Sequence, residues 1–161
     1  CIQTVCIQYM ADTSLNENRL SLLIWQISNI WQSKIRKILR NFDISVNEYL
    51  ILESLYKLND KPIYDQITQQ NISFHSYIDT SVISSKTNLL EKKNYIYRSD
   101  SNNKRSNSVR ISLKGKQLMD KLILDIENEE KKLFEKLGVE NNNFLNSLKL
   151  ILGKKIRVKA N

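Results

Sequence analysis

Between residues 20 and 39 the apolar side chains fall at steps of three and four: Leu20, Leu23, Ile24, Ile27, Ile30, Trp31, Ile35, Ile38 and Leu39. That spacing lines one face of a long amphipathic helix. A second long stripe follows Ser112, whose hydroxyl suits a helix start: Leu118, Met119, Leu122, Ile123, Ile126, Leu133, Phe134 and Leu137. Gly138 stands where that helix should end, as its C-terminal cap. A third stripe, Phe144, Leu145, Leu148, Ile151 and Leu152, follows residues 141–143. The chain has 3 glycines and 1 proline, which excludes a turn-rich β sandwich or barrel and any glycine-rich phosphate loop. The fold class is mainly α.

The middle of the chain is more varied. Ser45-Val46-Asn47-Glu48 reads as a capping box, in which the hydroxyl caps a backbone amide and the carboxylate reaches back. The helix it opens buries Tyr49, Leu52, Leu55 and Tyr56 and stops near Pro62. A short helix is expected over residues 63–70; residues 71–78 fit either a further helical turn or a connecting loop. Asp79-Thr80-Ser81 then opens a helix running to about Lys93, with Val82, Ile83, Leu89 and Leu90 inward. Its opposite face carries Thr80, Ser81, Ser84, Ser85 and Asn88. An ordinary solvated face prefers Lys and Glu, which are better helix formers. Short hydroxyl and amide groups suit a helix pressed closely against something polar. Residues 95–98 and 109–111 alternate as strands of a hairpin. Its long polar tip is centred on Lys104 and Arg105.

Charge narrows the function classes. Lys and Arg number 25 against 17 Asp and Glu, a net charge of +8. Such a balance favours an anionic partner, nucleic acid or a membrane surface. No apolar run reaches the roughly 18 residues that span a bilayer. No basic segment followed by an apolar core marks a secretory leader. A cytoplasmic address is expected. One His and two Cys leave little for a metal site, and no metal or cofactor is expected. Met10 looks like a natural start, which would leave Cys1, Cys6 and the rest of residues 1–9 outside the working protein; a Cys1/Cys6 redox pair is the alternative. Glu127, Glu129 and Glu130 are followed at once by Lys131 and Lys132, the pattern of a solvated helix face. No nucleophile–base pair stands out, so an enzyme is not indicated.

A polar-faced helix followed by a basic hairpin makes a winged helix-turn-helix: the helix enters a major groove and the wing's cations reach phosphates or the minor groove. Across residues 20–152 the chain resembles the MarR family of bacterial transcription regulators. The resemblance is carried by Ile44-Ser45-Val46-Asn47-Glu48-Tyr49 and Leu52. It continues in Asp79-Thr80-Ser81-Val82-Ile83-Ser84 and Leu90-Glu91-Lys92-Lys93-Asn94-Tyr95-Ile96. In the wing it rests on Asp100, Asn103-Lys104-Arg105, Ile111-Ser112 and Gly115. Three places depart from the family pattern: Asn103 replaces an Asp, Asn94 a Gly and Ser112 a Thr. The longer stretch between Pro62 and Asp79 is similar to a divergent, staphylococcal SarA-type branch.

The resemblance implies a homodimer on a pseudo-palindromic double-stranded site. Its parts would be an arm (1–17), a dimerisation helix (18–40), a winged domain (41–112), C-terminal dimerisation helices (113–153) and a basic tail (154–161). Thr80, Ser81, Ser84, Ser85 and Asn88 would approach base edges. Arg98, Asn103, Lys104 and Arg105 would hold phosphates or the minor groove. Trp25 and Trp31 would line an effector pocket of unidentified ligand, or else form plain dimer core. No Cys stands at residues 21–23, where peroxide-sensing relatives carry one. The expected function is a sequence-specific transcription regulator, of repressor type. The alternatives are a winged-helix adaptor for a protein partner and an architectural plasmid or nucleoid DNA-binding protein.

Overall fold

The N-terminal stripe forms α1, Leu20–Leu39, whose last turn carries Arg36 and Lys37 against the negative end of the helix dipole. The computed structural model describes residues 19–60, 66–99 and 108–156. A 3-10 turn, Arg40–Phe42, leads to Asp43 in the left-handed region (φ 51°) and then to α2, Val46–Asn59. The capping box is present in both directions. Glu48 N–H donates to Ser45 Oγ at 3.3 Å, and Ser45 N–H donates to Glu48 Oε2 at 2.8 Å.

The short helix expected over residues 63–70 lies further along. It is α3, Gln69–Ser76, and Gln66 to Thr68 are not helical. A second capping box fixes this start. Asn71 N–H donates to Thr68 Oγ1 at 3.3 Å, and Thr68 N–H donates to Asn71 Oδ1 at 2.9 Å. Just before it, Ile67 is pinned by its carbonyl, which accepts from Val109 N–H at 2.8 Å.

The polar-faced segment forms α4, Thr80–Lys92. The hairpin is β1, Ile96–Ser99, paired antiparallel with β2, Ser108–Ile111, Ile96 opposite Ile111 and Arg98 opposite Val109. The second long stripe forms α5, Leu113–Phe134, 22 residues, or about 33 Å. It ends a turn earlier than Gly138. A 3-10 stretch, Glu135–Glu140, takes over, with Gly138 at φ 51° inside it, before α6, Asn141–Ile151. Phe134 and Phe144 meet across this reversal at 6.3 Å between ring centroids, and the non-helical backbone of Gly138 makes the kink between them.

The core sits around α2, whose Ile51, Leu52, Leu55 and Leu58 are buried. Ile35 and Leu39 of α1 close it on one side, and Leu118, Met119, Leu122 and Ile126 of α5 on another. Ile72, Ile83 and Leu90 anchor α3 and α4, while Ile96, Val109 and Ile111 tie in the wing. One inward assignment on α4 changes. Leu89 is exposed and Val82 only partly buried; the buried stripe is Ile83, Thr87 and Leu90. Steps of four and three make that stripe continuous, and the Thr87 hydroxyl is satisfied by donating to the Ile83 carbonyl at 2.8 Å. No helix among the described residues is long and apolar enough to cross a membrane.

Candidate nucleic-acid interface

The buried stripe of α4 dictates what its other side presents. With Ile83, Thr87 and Leu90 fixed inward, Thr80, Ser81, Ser84, Ser85 and Asn88 all stand exposed. Asp79 caps the helix, its Oδ1 accepting from Ser81 N–H at 2.8 Å. Hydrogen bonds from the Ser81 hydroxyl and amide hold the Asp79 carboxyl below its ordinary range. Ser81 therefore faces outward with its hydroxyl proton already committed to the cap. Gln69 Nε2 donates to Thr87 Oγ1 at 3.4 Å, joining α3 to the concealed side of α4.

The far end of α4 is held by a carboxylate that periodicity alone could not find. Glu48 is 3 % exposed. It accepts from Ser45 and from Lys93 Nζ, the latter at 3.0 Å, and Lys93 also donates to the Asp43 carbonyl. Burial pushes the Glu48 carboxyl up, but the Ser45 and Lys93 bonds outweigh burial and leave it below 4.5. Burial likewise opposes the charge on Lys93, and its bonds to Glu48 and Asp43 leave it above 10.5. This network fastens the start of α2 to the turn after α4. In that turn Asn94 adopts φ 61°, the left-handed conformation that Asn tolerates better than most residues.

A pH dependence follows. Glu48 titrates lower in the folded chain than unfolded, so its contribution is complete above pH 4.5 and is lost as pH falls through the native value. Glu48→Gln is expected to cost about 2 kcal/mol at neutral pH. The variant should show a flatter acid limb in urea unfolding measured from pH 7 to pH 3. Glu130 acts in the opposite sense, because burial holds its carboxyl above 4.5. A Gln variant matching the parent at pH 7 would show that the network does not fix α4.

The wing lies alongside. Arg98 on β1 turns back to α4: its Nη2 donates to Asn88 Oδ1, and its Nε lies 3.6 Å from Glu91 Oε2. Two residues expected to meet DNA separately are thus brought together. Tyr97, on the other face of β1, is about half exposed. Ser112 accepts from Gly115 N–H at 3.0 Å and donates to the Asn94 carbonyl at 2.7 Å, so the cap of α5 also locks the turn after α4. Asn103, Lys104 and Arg105 lie outside the described residues, as do Cys1 and Cys6.

The two tryptophans differ. Trp25 is 63 % exposed, whereas Trp31 is partly buried and donates its Nε1 to Glu130 Oε1 at 3.0 Å. Six residues apart, they sit about 120° apart around α1. Glu130 is thus a partly buried partner of Trp31, not a member of a simple solvated face. Its neighbour Glu129 pairs with Lys132 at 2.7 Å and Lys34 at 3.5 Å. A cleft of about 380 Å³ lies elsewhere, between α3 and the end of α6, lined by Phe74, His75, Tyr77, Leu152 and Lys154 among others.

A helix carrying an outward polar face, braced by a helix behind it and by a two-stranded hairpin beside it, is a winged helix-turn-helix. Residues 44–106 match the MarR family. That match runs from the capped start of α2 through α4 and β1, the part of the chain that builds this face. The chain is 25 % identical over 131 residues to an uncharacterised helix-turn-helix-type transcriptional regulator, YdcH, of Bacillus subtilis, spanning 81 % of this chain and 87 % of the relative. Among solved structures it is similar to the MepR–DNA complex of Staphylococcus aureus. That match has a TM-score of 0.71 and 24 % identity, over 86 % of this chain and 98 % of that one. It is also similar to NadR in complex with 4-hydroxyphenylacetate, with a TM-score of 0.68 and 19 % identity, over 89 % of this chain and 99 % of that one.

Proposed function

We propose that the chain works as a homodimer that reads a pseudo-palindromic double-stranded DNA site in the cytoplasm and represses transcription there. The observation that carries this reading is the outward face of α4: five short, uncharged polar side chains made available by a fully buried inner stripe. Such a face can approach base edges closely, where longer charged side chains would hold the helix off. Residues 41–112 form the reading module in this proposal, and α1, α5 and α6 the dimerising part. Thr80, Ser81, Ser84, Ser85 and Asn88 face bases, and Asn103, Lys104 and Arg105 face phosphates or the minor groove. The likeness to a relative solved on DNA supports the reading. A small-molecule effector is part of it too, supported by the likeness to a relative solved with 4-hydroxyphenylacetate. Trp31, which meets α5 through Glu130, and Trp25, exposed on α1, are its proposed contacts.

The test is a genomic-fragment selection with purified protein at low and near-physiological salt. An inverted repeat with half-sites about one helical turn apart is expected. Arg105→Ala should weaken binding to every fragment and reduce the slope of log affinity against log salt by about one for each wing phosphate lost. Recovery of DNA without a motif would favour an architectural role. No recovery, with a stable complex formed by an acidic protein, would favour the adaptor.

A further inference from the structure

Arg98 was expected to hold phosphate, yet the described residues engage it from the side of α4. Its Nη2 donates to Asn88 Oδ1 and its Nε faces Glu91 at 3.6 Å. The Nε atom is buried and has no hydrogen-bond partner among the described residues, so the guanidinium is drawn in against the helix. A guanidinium has five donors and no acceptor. The Asn88 atom it touches must therefore be the amide oxygen, and the amide nitrogen must point away. Asn88 is exposed and lies one turn after Ser84, on the same outward face.

We propose that Arg98 is a specificity-determining positioning residue: it fixes the Asn88 amide with its nitrogen outward, so that α4 presents a donor to the base edge at that point. The inference rests on the DNA-reading function proposed above. A free asparagine can turn either end of its amide to a base and pairs best with adenine, accepting from N6 and donating to N7. An asparagine whose oxygen is already engaged can only donate, to guanine O6 or N7, thymine O4 or adenine N7, and loses the second bond that singles out adenine. Glu91 balances the Arg98 charge, which separates this arginine from the phosphate-holding cations of the wing tip. Recognition helix and wing then act as one reading surface, because a β1 side chain sets what an α4 side chain offers.

The test is a selection from randomised double-stranded DNA with the full chain, followed by titration of the recovered sites at several salt concentrations. Asn88→Ala identifies the half-site position that Asn88 reads, as the one whose preference vanishes. In the parent that position should favour guanine or thymine over cytosine by about tenfold, the worth of a good base contact. Arg98→Met should shift the same position toward adenine while leaving the salt slope unchanged. Asn88→Asp, an exposed change that leaves the fold intact, removes the outward donor and should shift the preference toward cytosine, whose N4 donates. Uniform weakening by Arg98→Met on all sequences, with a slope shallower by about one, would make Arg98 a phosphate contact and overturn the proposal. An Asn88→Ala variant with the parent's preferences would also overturn it. A parent that recovers no motif removes the DNA reading itself, and this inference with it; a parent motif that ignores the Arg98 change removes the inference alone.

Discussion

Gly115→Ala is expected to destabilise the protein by roughly 2–3 kcal/mol, the upper range for overpacking a tight site, or about 5–10 °C in melting temperature for a chain of this size. A methyl group at residue 115 would sit 2.2 Å from the Tyr95 carbonyl oxygen and 2.8 Å from Ile111 Cγ1. The Tyr95 oxygen cannot step aside. It accepts from Ser112 N–H at 3.0 Å, and its residue closes the turn between α4 and β1. Gly115 is where the first turn of α5 crosses that backbone, so added bulk separates the long helix from the wing. Helix propensity favours Ala over Gly by about 1 kcal/mol, which is smaller than the clash and of opposite sign. Gly138 makes the contrast. Nothing lies within 4 Å of its added methyl, but its φ of 51° disfavours a side chain. Gly138→Ala should cost about 1–3 kcal/mol through backbone strain alone, because φ 51° with ψ −124° is a conformation kept for glycine. Thermal unfolding by circular dichroism, at one protein concentration, compares the two directly. Equal melting temperatures for Gly115→Ala and the parent would mean that α5 stands off from the turn.

How much of this was legible beforehand depends on the range of the interaction. Every helix whose apolar stripe was long enough to repeat, α1, α2, α4, α5 and α6, was readable from spacing, because an apolar face imposes the period. The Ser45–Glu48 box was readable because its partners are three residues apart. The Thr68–Asn71 box has the same geometry, but Asn in place of Glu hid it, and the start of α3 was misplaced. The failures are mostly contacts that span the chain. Glu48 with Lys93, Trp31 with Glu130 and Gln69 with Thr87 lie 45, 99 and 18 residues apart. No local pattern reports them. Thr87 could have been found, since it completes a 4–3 stripe with Ile83 and Leu90; its hydroxyl made it look like surface. The outward face of α4 was legible for the opposite reason. It stands exposed, and its composition departs from what a solvated helix face requires. Arg98 falls between these cases. Its charge was visible, but its engagement with Asn88 depends on how β1 runs beside α4.

The largest functional effect is expected from charging the apolar surface that the described residues leave uncovered. Leu20, Ile24 and Trp25 of α1 and Leu150 and Ile151 of α6 are 43–73 % exposed. They sit at the two ends of the sequence, while the packed core is already complete around α2. Exposed apolar side chains gathered on two helices are what a self-complementary interface needs, since each copy supplies both surfaces. The double variant Ile24→Lys with Ile151→Lys adds repulsion there without entering the core. It should keep the parent's helix content and melt cooperatively. In size-exclusion chromatography with light scattering it should run as one 18.9 kDa copy, where the parent runs as two. Its affinity for an inverted-repeat site should fall by about 100-fold or more, because two linked modules gain that much from effective concentration alone. The salt slope should fall by about half, since one winged module then neutralises phosphates instead of two. Affinity and slope lost together, with the fold retained, would locate DNA reading in the pair of modules rather than in either one. A parent that is monomeric at micromolar concentration and still binds a single half-site with full affinity would remove the dimer from the proposal. The faces of α1 and α6 would then need a different partner.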